Sequence, residues 1–331
     1  MNILSASITL RDIYLARQTI AGLARRTPLV RSTLLSEQTG ANVYLKLETI
    51  QETGAFKLRG AANRLLNLSA DERQRGVITV STGNHGRAVA FVAQKLGLRA
   101  VICVPTMVLP HKVDAMRRLG AEVVIHGATQ DEAEENALRL QAEQGLTMVS
   151  PFDDPYIIAG QGTIGLELLE DLPQIDMVIV PLSGGGLMTG IALALKSASP
   201  TIRVVGASQA LGPAMYLSMQ AGKIVPVIEE KTLADSLMGG IGLENHFTLA
   251  LCQQWVDEVV LLSEAEIGAT MVFALQQEHQ VVEGGGSVAM GALLHGKVAN
   301  LGRNVAVVVS GGNVDMTVLM ALSSLSERKA K

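Results

Sequence analysis

Lys57 lies beside an aromatic ring in Thr53-Gly54-Ala55-Phe56-Lys57-Leu58-Arg59-Gly60-Ala61, at the expected mouth of a helix in an otherwise apolar region. A lysine held there can form a Schiff base with a carbonyl cofactor or substrate. The same run also reads as a solvated helix face with its long stems on the core. Three other segments bear on the choice. In Val80-Ser81-Thr82-Gly83-Asn84-His85-Gly86-Arg87-Ala88 an apolar strand ends in hydroxyls, a glycine and an amide just before a helix. Such a turn points polar side chains and free backbone N–H groups into one crevice. Val180-Pro181-Leu182-Ser183-Gly184-Gly185-Gly186-Leu187 is again a strand running into a glycine loop and a helix, the geometry that cradles a phosphate. Val309-Ser310-Gly311-Gly312-Asn313 is a strand end presenting one hydroxyl. Taken singly, each is also ordinary turn chemistry, because strand-to-helix turns favour Gly, Ser and Asn.

The elements that must position these groups are legible as alternation. Strand-like runs at 77–81, 100–104, 122–125, 177–181, 204–207, 259–262 and 305–309 are separated by helical stretches, which predicts an α/β fold of parallel sheets covered by helices. Capping boxes predict helix starts at Thr9 with Asp12, Thr129 with Glu132 and Ser263 with Glu266. The first of these helices should show Ile13, Ala16, Ile20 and Leu23 on one face. No solenoid repeat or low-complexity segment occurs, and no Pro-rich or Ser-rich linker marks a boundary.

Composition narrows the function. With 331 residues, 48% hydrophobic and 18% charged, the chain can bury a large core in one composite unit or two lobes. A net charge of −4 leaves no basic face for a phosphate backbone, and one Trp with four Tyr offers little stacking surface, so nucleic acid is not an expected partner. Cys103 and Cys252 read as small core residues, which fits a reducing cytoplasm. No apolar run reaches the roughly 18 residues needed to span a bilayer, and residues 1–29 are too interrupted by Arg11, Asp12, Arg17, Arg25 and Arg26 for a signal peptide. No membrane partner is expected.

A dinucleotide site is the obvious rival. Gly184, Gly186 and Gly190 miss the G-x-G-x-x-G spacing by one residue, and the next strand leads to Ser208 rather than to an acid that could hold a ribose. No Walker loop, H-E-x-x-H, C-x-x-C or G-x-S-x-G is present.

In their order and spacing, Lys57 and the three turns resemble the pyridoxal-phosphate (PLP) enzymes of the threonine dehydratase and serine racemase family, of fold type II, the tryptophan synthase β-like fold. The resemblance runs from about residue 8 to about 322 and includes Thr27-Pro28-Leu29, Tyr44-Leu45-Lys46-Leu47-Glu48 and Ala159-Gly160-Gln161-Gly162-Thr163. Ser-Thr-Gly-Asn-His-Gly-Arg and Leu233-Ala234-Asp235-Ser236-Leu237-Met238-Gly239-Gly240-Ile241-Gly242-Leu243 look most like the dehydratases of hydroxyectoine catabolism. The resemblance implies a large PLP-binding lobe of 1–50 plus 150–331, a small inserted lobe of 51–149, and a cofactor at their interface. It also implies a cytoplasmic homo-oligomer, such as a homodimer. A C-terminal regulatory domain, which biosynthetic threonine dehydratases carry, is not expected.

For the site, the family pattern implies that Lys57 holds the cofactor aldehyde, with Phe56 packed near the ring. Ser183, Gly184, Gly185, Gly186 and Leu187 would bind the phosphate through backbone N–H groups, Asn84 would meet the ring 3-hydroxyl, and Ser310 would face the pyridine nitrogen. Ser81, Thr82, Asn84 and His85 would hold the carboxylate of an amino-acid substrate. The implied activity is β-elimination from a β-hydroxy amino acid, serine- or threonine-like or 3-hydroxy-2,4-diaminobutyrate-like, to a 2-oxo acid and ammonia. An amino-acid racemase on the same site is the close alternative, and a non-catalytic nucleotide-binding α/β protein the distant one.

Several positions depart from the family pattern or stay open. Thr82 replaces the serine that delivers a proton to the opposite face in serine racemases, and reads equally as a cap for the next helix. Arg87 replaces the usual glutamine, either touching substrate or lying on the exposed helix. Glu283 matches a family glutamate near the cofactor and equally a carboxylate at a helix N-terminus. Phe152 stands where some relatives have asparagine. Asp153 and Asp154 read either as recognition of a cationic substrate tail or as turn chemistry. The stretch Ser208-Gln209-Ala210-Leu211-Gly212-Pro213-Ala214 lacks the carboxylates that hold a divalent cation in activated relatives, so no magnesium or calcium is expected there.

Overall fold

A computed structural model describes residues 8–242 and 244–329. Residues 1–7 of the N-terminal stretch and Leu243, which ends the 233–243 run, lie outside the described residues.

The chain lays down β1 (Leu29–Arg31) and β2 (Asn42–Leu47), then β3 (Val77–Val80), β4 (Ala100–Val104), β5 (Glu122–Ile125) and β6 (Thr147–Met148), and last β7 (Met177–Pro181), β8 (Arg203–Gln209), β9 (Glu258–Leu262) and β10 (Asn304–Val309). The middle group forms its own parallel sheet in the order β5-β4-β3-β6. The first and last groups join in a second sheet, β1-β2-β10-β7-β8-β9, parallel except for the antiparallel pair β1–β2. Strands β4, β7 and β10 are buried along their whole length, as a sheet covered on both faces requires. Period-two alternation divides each between two cores. In β10, Val305, Val307 and Val309 enter one apolar cluster, while Ala306 and Val308 enter the cluster on the other face.

Two close helix crossings tie the sheets together. A Cβ on Gly160 would lie 2.7 Å from the Gly60 Cα, so the helices Lys57–Leu66 and Pro155–Asp171 touch backbone to backbone. On its opposite face the second helix meets Gly186–Ala198 in the same way, where a Cβ on Gly190 would come within 2.6 Å of the Gly162 nitrogen. One helix thus sets the separation between the Lys57 helix and the helix that follows the glycine loop.

Beside that crossing lies a buried ion cluster. Arg59 donates through Nε and Nη2 to Glu48 (2.9 and 2.8 Å) and through Nη1 and Nη2 to Glu167 (2.6 and 2.9 Å). Lys46, fully buried on β2, pairs with Glu167 at 2.7 Å and donates to the Thr27 carbonyl at 2.6 Å. Burial pushes the Glu48 carboxyl up, but the charge and hydrogen bonds of Arg59 outweigh it, and the group is held below its ordinary value.

The N-terminal helix, Leu10–Thr19, has its Thr9–Asp12 capping box and buries Ile13 and Ala16. It stops one turn earlier than the apolar pattern predicts. Ile20 is its C-cap and Gly22, at φ 90°, turns the chain before Leu23. The Ser263–Glu266 box forms in full. At Thr129 only half does, because Glu132 accepts from the Ala128 amide instead of the Thr129 amide.

Removing Arg59 leaves buried Glu48 without its paired cation and Glu167 with Lys46 alone, so Arg59→Met should cost about 3–5 kcal/mol in urea unfolding. Arg59→Lys should cost less, since it keeps the charge but not the fork that spans both carboxylates. Equal stability of wild type and Arg59→Met would remove the cluster from any structural role.

Candidate active site

Residues 53–56 run antiparallel to the end of β10. The Phe56 amide donates to the Ser310 carbonyl (3.0 Å), the Gly312 amide donates to the Gly54 carbonyl (2.9 Å), and Ala55 bridges Gly311. Phe56 is the N-cap and Lys57 the first residue of the next helix. Backbone pairing therefore fixes Lys57 against Ser310, although 253 positions separate them. Ser310 is 4% exposed, and no group among the described residues hydrogen-bonds its hydroxyl.

Lys57 Nζ donates to the Pro151 carbonyl at 2.6 Å and stands 5.3 Å from the Phe56 ring centroid. The residue is only half-buried, but its ammonium is desolvated enough to be pushed down to about 8, against the opposing pull of Glu283. Phe152, the residue after its acceptor, covers the glycine loop. A Cβ on Gly184 would fall 2.2 Å from the Phe152 ring, and one on Gly186 would lie 2.8 Å from the Phe152 carbonyl. Gly185 takes φ 90° as N-cap of Gly186–Ala198. The Ser183 hydroxyl donates to the Leu237 carbonyl (3.0 Å). Among the described residues the amides of 183–187 have no acceptor, and they stand at the start of a 13-residue helix.

The turn after β3 is similarly open. The amides of Thr82, Asn84 and His85 have no acceptor among the described residues, while Gly83 donates to the Ser81 hydroxyl at 3.3 Å. The Thr82 hydroxyl does not cap the helix Asn84–Leu96, so the capping alternative does not hold. His85 donates from Nε2 to the Val149 carbonyl (3.1 Å), which leaves Nδ1 as a buried acceptor without a partner. Burial, with the Lys57 charge, pushes the imidazole down to about 3, so it is neutral.

Asn84 Nδ2 donates to Glu283 Oε1 at 2.6 Å. Glu283 is the N-cap of Gly284–Leu294, yet its side chain accepts from no amide of that helix and turns to Asn84 instead. Burial and then the Asp235 charge push its carboxyl up to about 7, against hydrogen bonds from Asn84 and Ser236. Arg87 is not free on the helix, because it donates to Asn313 at 2.6 Å. Both aspartates are absorbed by structure. Asp153 accepts from the amides of His246, Phe247 and Thr248, and Asp154 caps Pro155–Asp171 by accepting from Tyr156 and Ile157. Asn313, quoted in the sequence only as the end of a turn, joins the site here.

Residues 20–311 match the family model described as "Pyridoxal-phosphate dependent enzyme". The chain belongs to that family. Among its relatives, a Sinorhizobium fredii protein with a provisional threonine dehydratase name is 50% identical over 96% of this chain and 95% of its own. L-threonine ammonia-lyase of Thermotoga maritima is 43% identical over 94% and 77%. The structure of maize serine racemase aligns with a TM-score of 0.89 at 33% identity, over 98% of this chain and 99% of that one. As a member of the pyridoxal-phosphate family, the chain shows a donor set that fits the cofactor: a glycine cradle of unused amides for phosphate, an amine of lowered pKa, and a buried hydroxyl with no protein partner. The carboxylate-free stretch 208–214 remains as the sequence has it, and the described residues hold no cluster of three or more His, Cys, Asp or Glu that could hold a metal. No helix among them is long and apolar enough to cross a membrane.

The raised Glu283 pKa favours folding when the group is protonated. That contribution is full below about pH 4.5 and is lost as pH rises through about 7. Lys57 acts in a separate window, since the cost of burying its charge persists below about pH 8 and is relieved as pH climbs toward 10.5. In thermal melts of the protein stripped of cofactor, wild type should therefore lose stability relative to Glu283→Gln between pH 5 and 7.5. Parallel curves would mean that Glu283 titrates at an ordinary carboxylate pH.

Proposed function

We propose that the protein is a PLP-dependent dehydratase that eliminates water from a β-hydroxy amino acid. The observation that carries this reading is the fixed pair of Lys57 and Ser310, an amine of lowered pKa held by backbone pairing against a neutral hydroxyl. Bound PLP supplies the electron-withdrawing group that acidifies the substrate Cα–H. The 183–187 amides would hold its phosphate, Asn84 its ring hydroxyl and Ser310 its ring nitrogen. The 82–85 amides would hold the substrate carboxylate, and neutral His85 adds no charge there.

Lys57 is suited to take the Cα proton because desolvation brings its pKa close to neutrality. The β-hydroxyl leaves as water with the proton that Lys57 has taken, so that Cα–H and Cβ–OH are lost together. The released enamine tautomerises and hydrolyses to a 2-oxo acid and ammonia. A hydroxyl opposite the ring nitrogen does not enforce its protonation as a carboxylate would, which favours departure of the β-substituent over transamination.

Since Asp153 and Asp154 are both spent on backbone amides, a serine- or threonine-like side chain is favoured over a 2,4-diamino one. The place in hydroxyectoine catabolism rests on the resemblance of the 233–243 run alone. The division into lobes 1–50 plus 150–331 and 51–149 is supported by the two sheets. A racemase reading has one observation in its favour, the Thr82 hydroxyl that caps no helix, and chiral analysis of recovered substrate distinguishes it.

Borohydride treatment of the coloured protein should leave the mass of the reduced cofactor on the peptide carrying Lys57, and 2-oxo acid should appear from serine or threonine. Label on a different lysine would falsify the assignment. Ser310→Asp should lose dehydratase rate more than Ser310→Ala and gain a long-wavelength absorption band. The alanine variant forfeits one hydrogen bond, worth about 0.5–1.5 kcal/mol. Identical rates and spectra in the two variants would place Ser310 away from the ring nitrogen.

A further inference from the structure

Four side chains form one hydrogen-bonded file across the cleft. Arg87 Nη1 donates to Asn313 Oδ1 at 2.6 Å, Asn313 Nδ2 donates to Asn84 Oδ1 at 2.7 Å, and Asn84 Nδ2 donates to Glu283 Oε1 at 2.6 Å. Asn313 Nδ2 also donates to the Thr53 carbonyl at 2.8 Å. The two amides in the middle could each be turned end for end without changing shape. The ends of the file cannot. A guanidinium only donates, a backbone carbonyl only accepts, and the ionised Glu283 carboxylate only accepts. With Arg87 at one end, Asn313 must show its oxygen to Arg87 and its nitrogen to Asn84. Asn84 must then show its oxygen to Asn313 and its nitrogen to Glu283.

The backbone makes room for this file. Gly54 has φ 76°, and a Cβ there would lie 2.6 Å from Asn313 Oδ1. The same segment carries Lys57 three residues on, so the space for the Asn313 amide and the placement of the lysine are set together.

We infer that Arg87 is a positioning residue that fixes the orientation of the Asn84 amide and thereby the hydrogen-bonding face it offers the cofactor. This rests on the reading above in one respect, that Asn84 meets the cofactor ring. The file itself is a property of the protein. A glutamine at 87, the residue the family pattern usually has, could donate or accept, and would leave the polarity of the file to be set by the Thr53 carbonyl and the Glu283 end without a cation.

The test compares Arg87→Met, Arg87→Gln, Arg87→Lys and wild type by three measurements. One is PLP affinity, the second is the pH titration of the visible band of the loaded protein, and the third is hydrogen exchange of the Asn84 side-chain amide in 15N-asparagine-labelled protein with and without PLP. Arg87→Met should bind PLP up to about tenfold more weakly, move the titration of the band, and exchange the Asn84 amide about tenfold faster, on the scale of one lost hydrogen bond. Arg87→Lys, a donor-only cation, should restore most of each effect, and Arg87→Gln should fall between. Should Arg87→Met fold poorly, Asn313→Asp removes the donor in the middle of the file and should reproduce the weaker binding and the shifted titration. Wild-type affinity, titration and exchange in Arg87→Met or in Asn313→Asp would overturn the inference, as would a loss of melting temperature alone. A protein that took up no PLP at Lys57 would sink the functional reading, while amide exchange would still decide whether Arg87 orders Asn84.

Discussion

The Arg59 fork sets the rest of the site. Arg59 follows Lys57 by two residues and points the opposite way, into Glu48 and Glu167. One carboxylate comes from the turn after β2 and the other from Pro155–Asp171. A single guanidinium thus pins the lysine helix to the six-stranded sheet and to the helix that approaches the glycine loop. Because each charge is buried, no member can shift without stranding another, and the cluster acts through specificity of position more than through net stabilisation.

Around that anchor the site is assembled from distant parts of the chain. Lys57 and Asn84 sit at helix starts on either side of β3, the glycine loop follows β7, Glu283 opens the next-to-last helix and Ser310 ends β10. The functional groups lie at strand ends or helix starts, where parallel sheets leave backbone amides unused. Phe152 closes this arrangement by lying on the loop glycines while its neighbour Pro151 accepts from Lys57.

Much of this was legible in the sequence, and what was not has physical reasons. Seven strands were marked by mainly apolar runs, to within two residues at either end. β2 was not among them, because Lys46 interrupts the pattern, and its ion pair with Glu167 and hydrogen bond to the Thr27 carbonyl let that lysine lie buried in a strand. β1 and β6, of three and two residues, are too short to show a period. The turns carrying the candidate site residues could be read because Gly, Ser and Asn gather there for local reasons. Their partnerships could not. Arg87 and Asn313 are 226 positions apart, and Asp153 reaches amides more than 90 positions away. Local spacing encodes neither pairing, so Arg87 and the two aspartates kept open alternatives until the fold brought their partners to them.

The pairing of 53–56 with 310–313 has a mechanical consequence. Backbone hydrogen bonds join the segment that leads into Lys57 to residues 310–312, through Phe56 to Ser310 and Gly312 to Gly54, and the Gly60–Gly160 crossing binds the lysine helix to Pro155–Asp171, so these parts form one stiff block. The turn at 81–85 is joined to the opposite wall differently, through the side-chain contacts Asn84–Glu283 and Arg87–Asn313, with Lys112–Asp235 beyond them. Widening the cleft along that rim breaks side-chain contacts and leaves the backbone pairing intact. The rim is thus held by contacts that side-chain movement alone can undo, whereas the backbones that carry Lys57 and Ser310 are held to each other by the main chain.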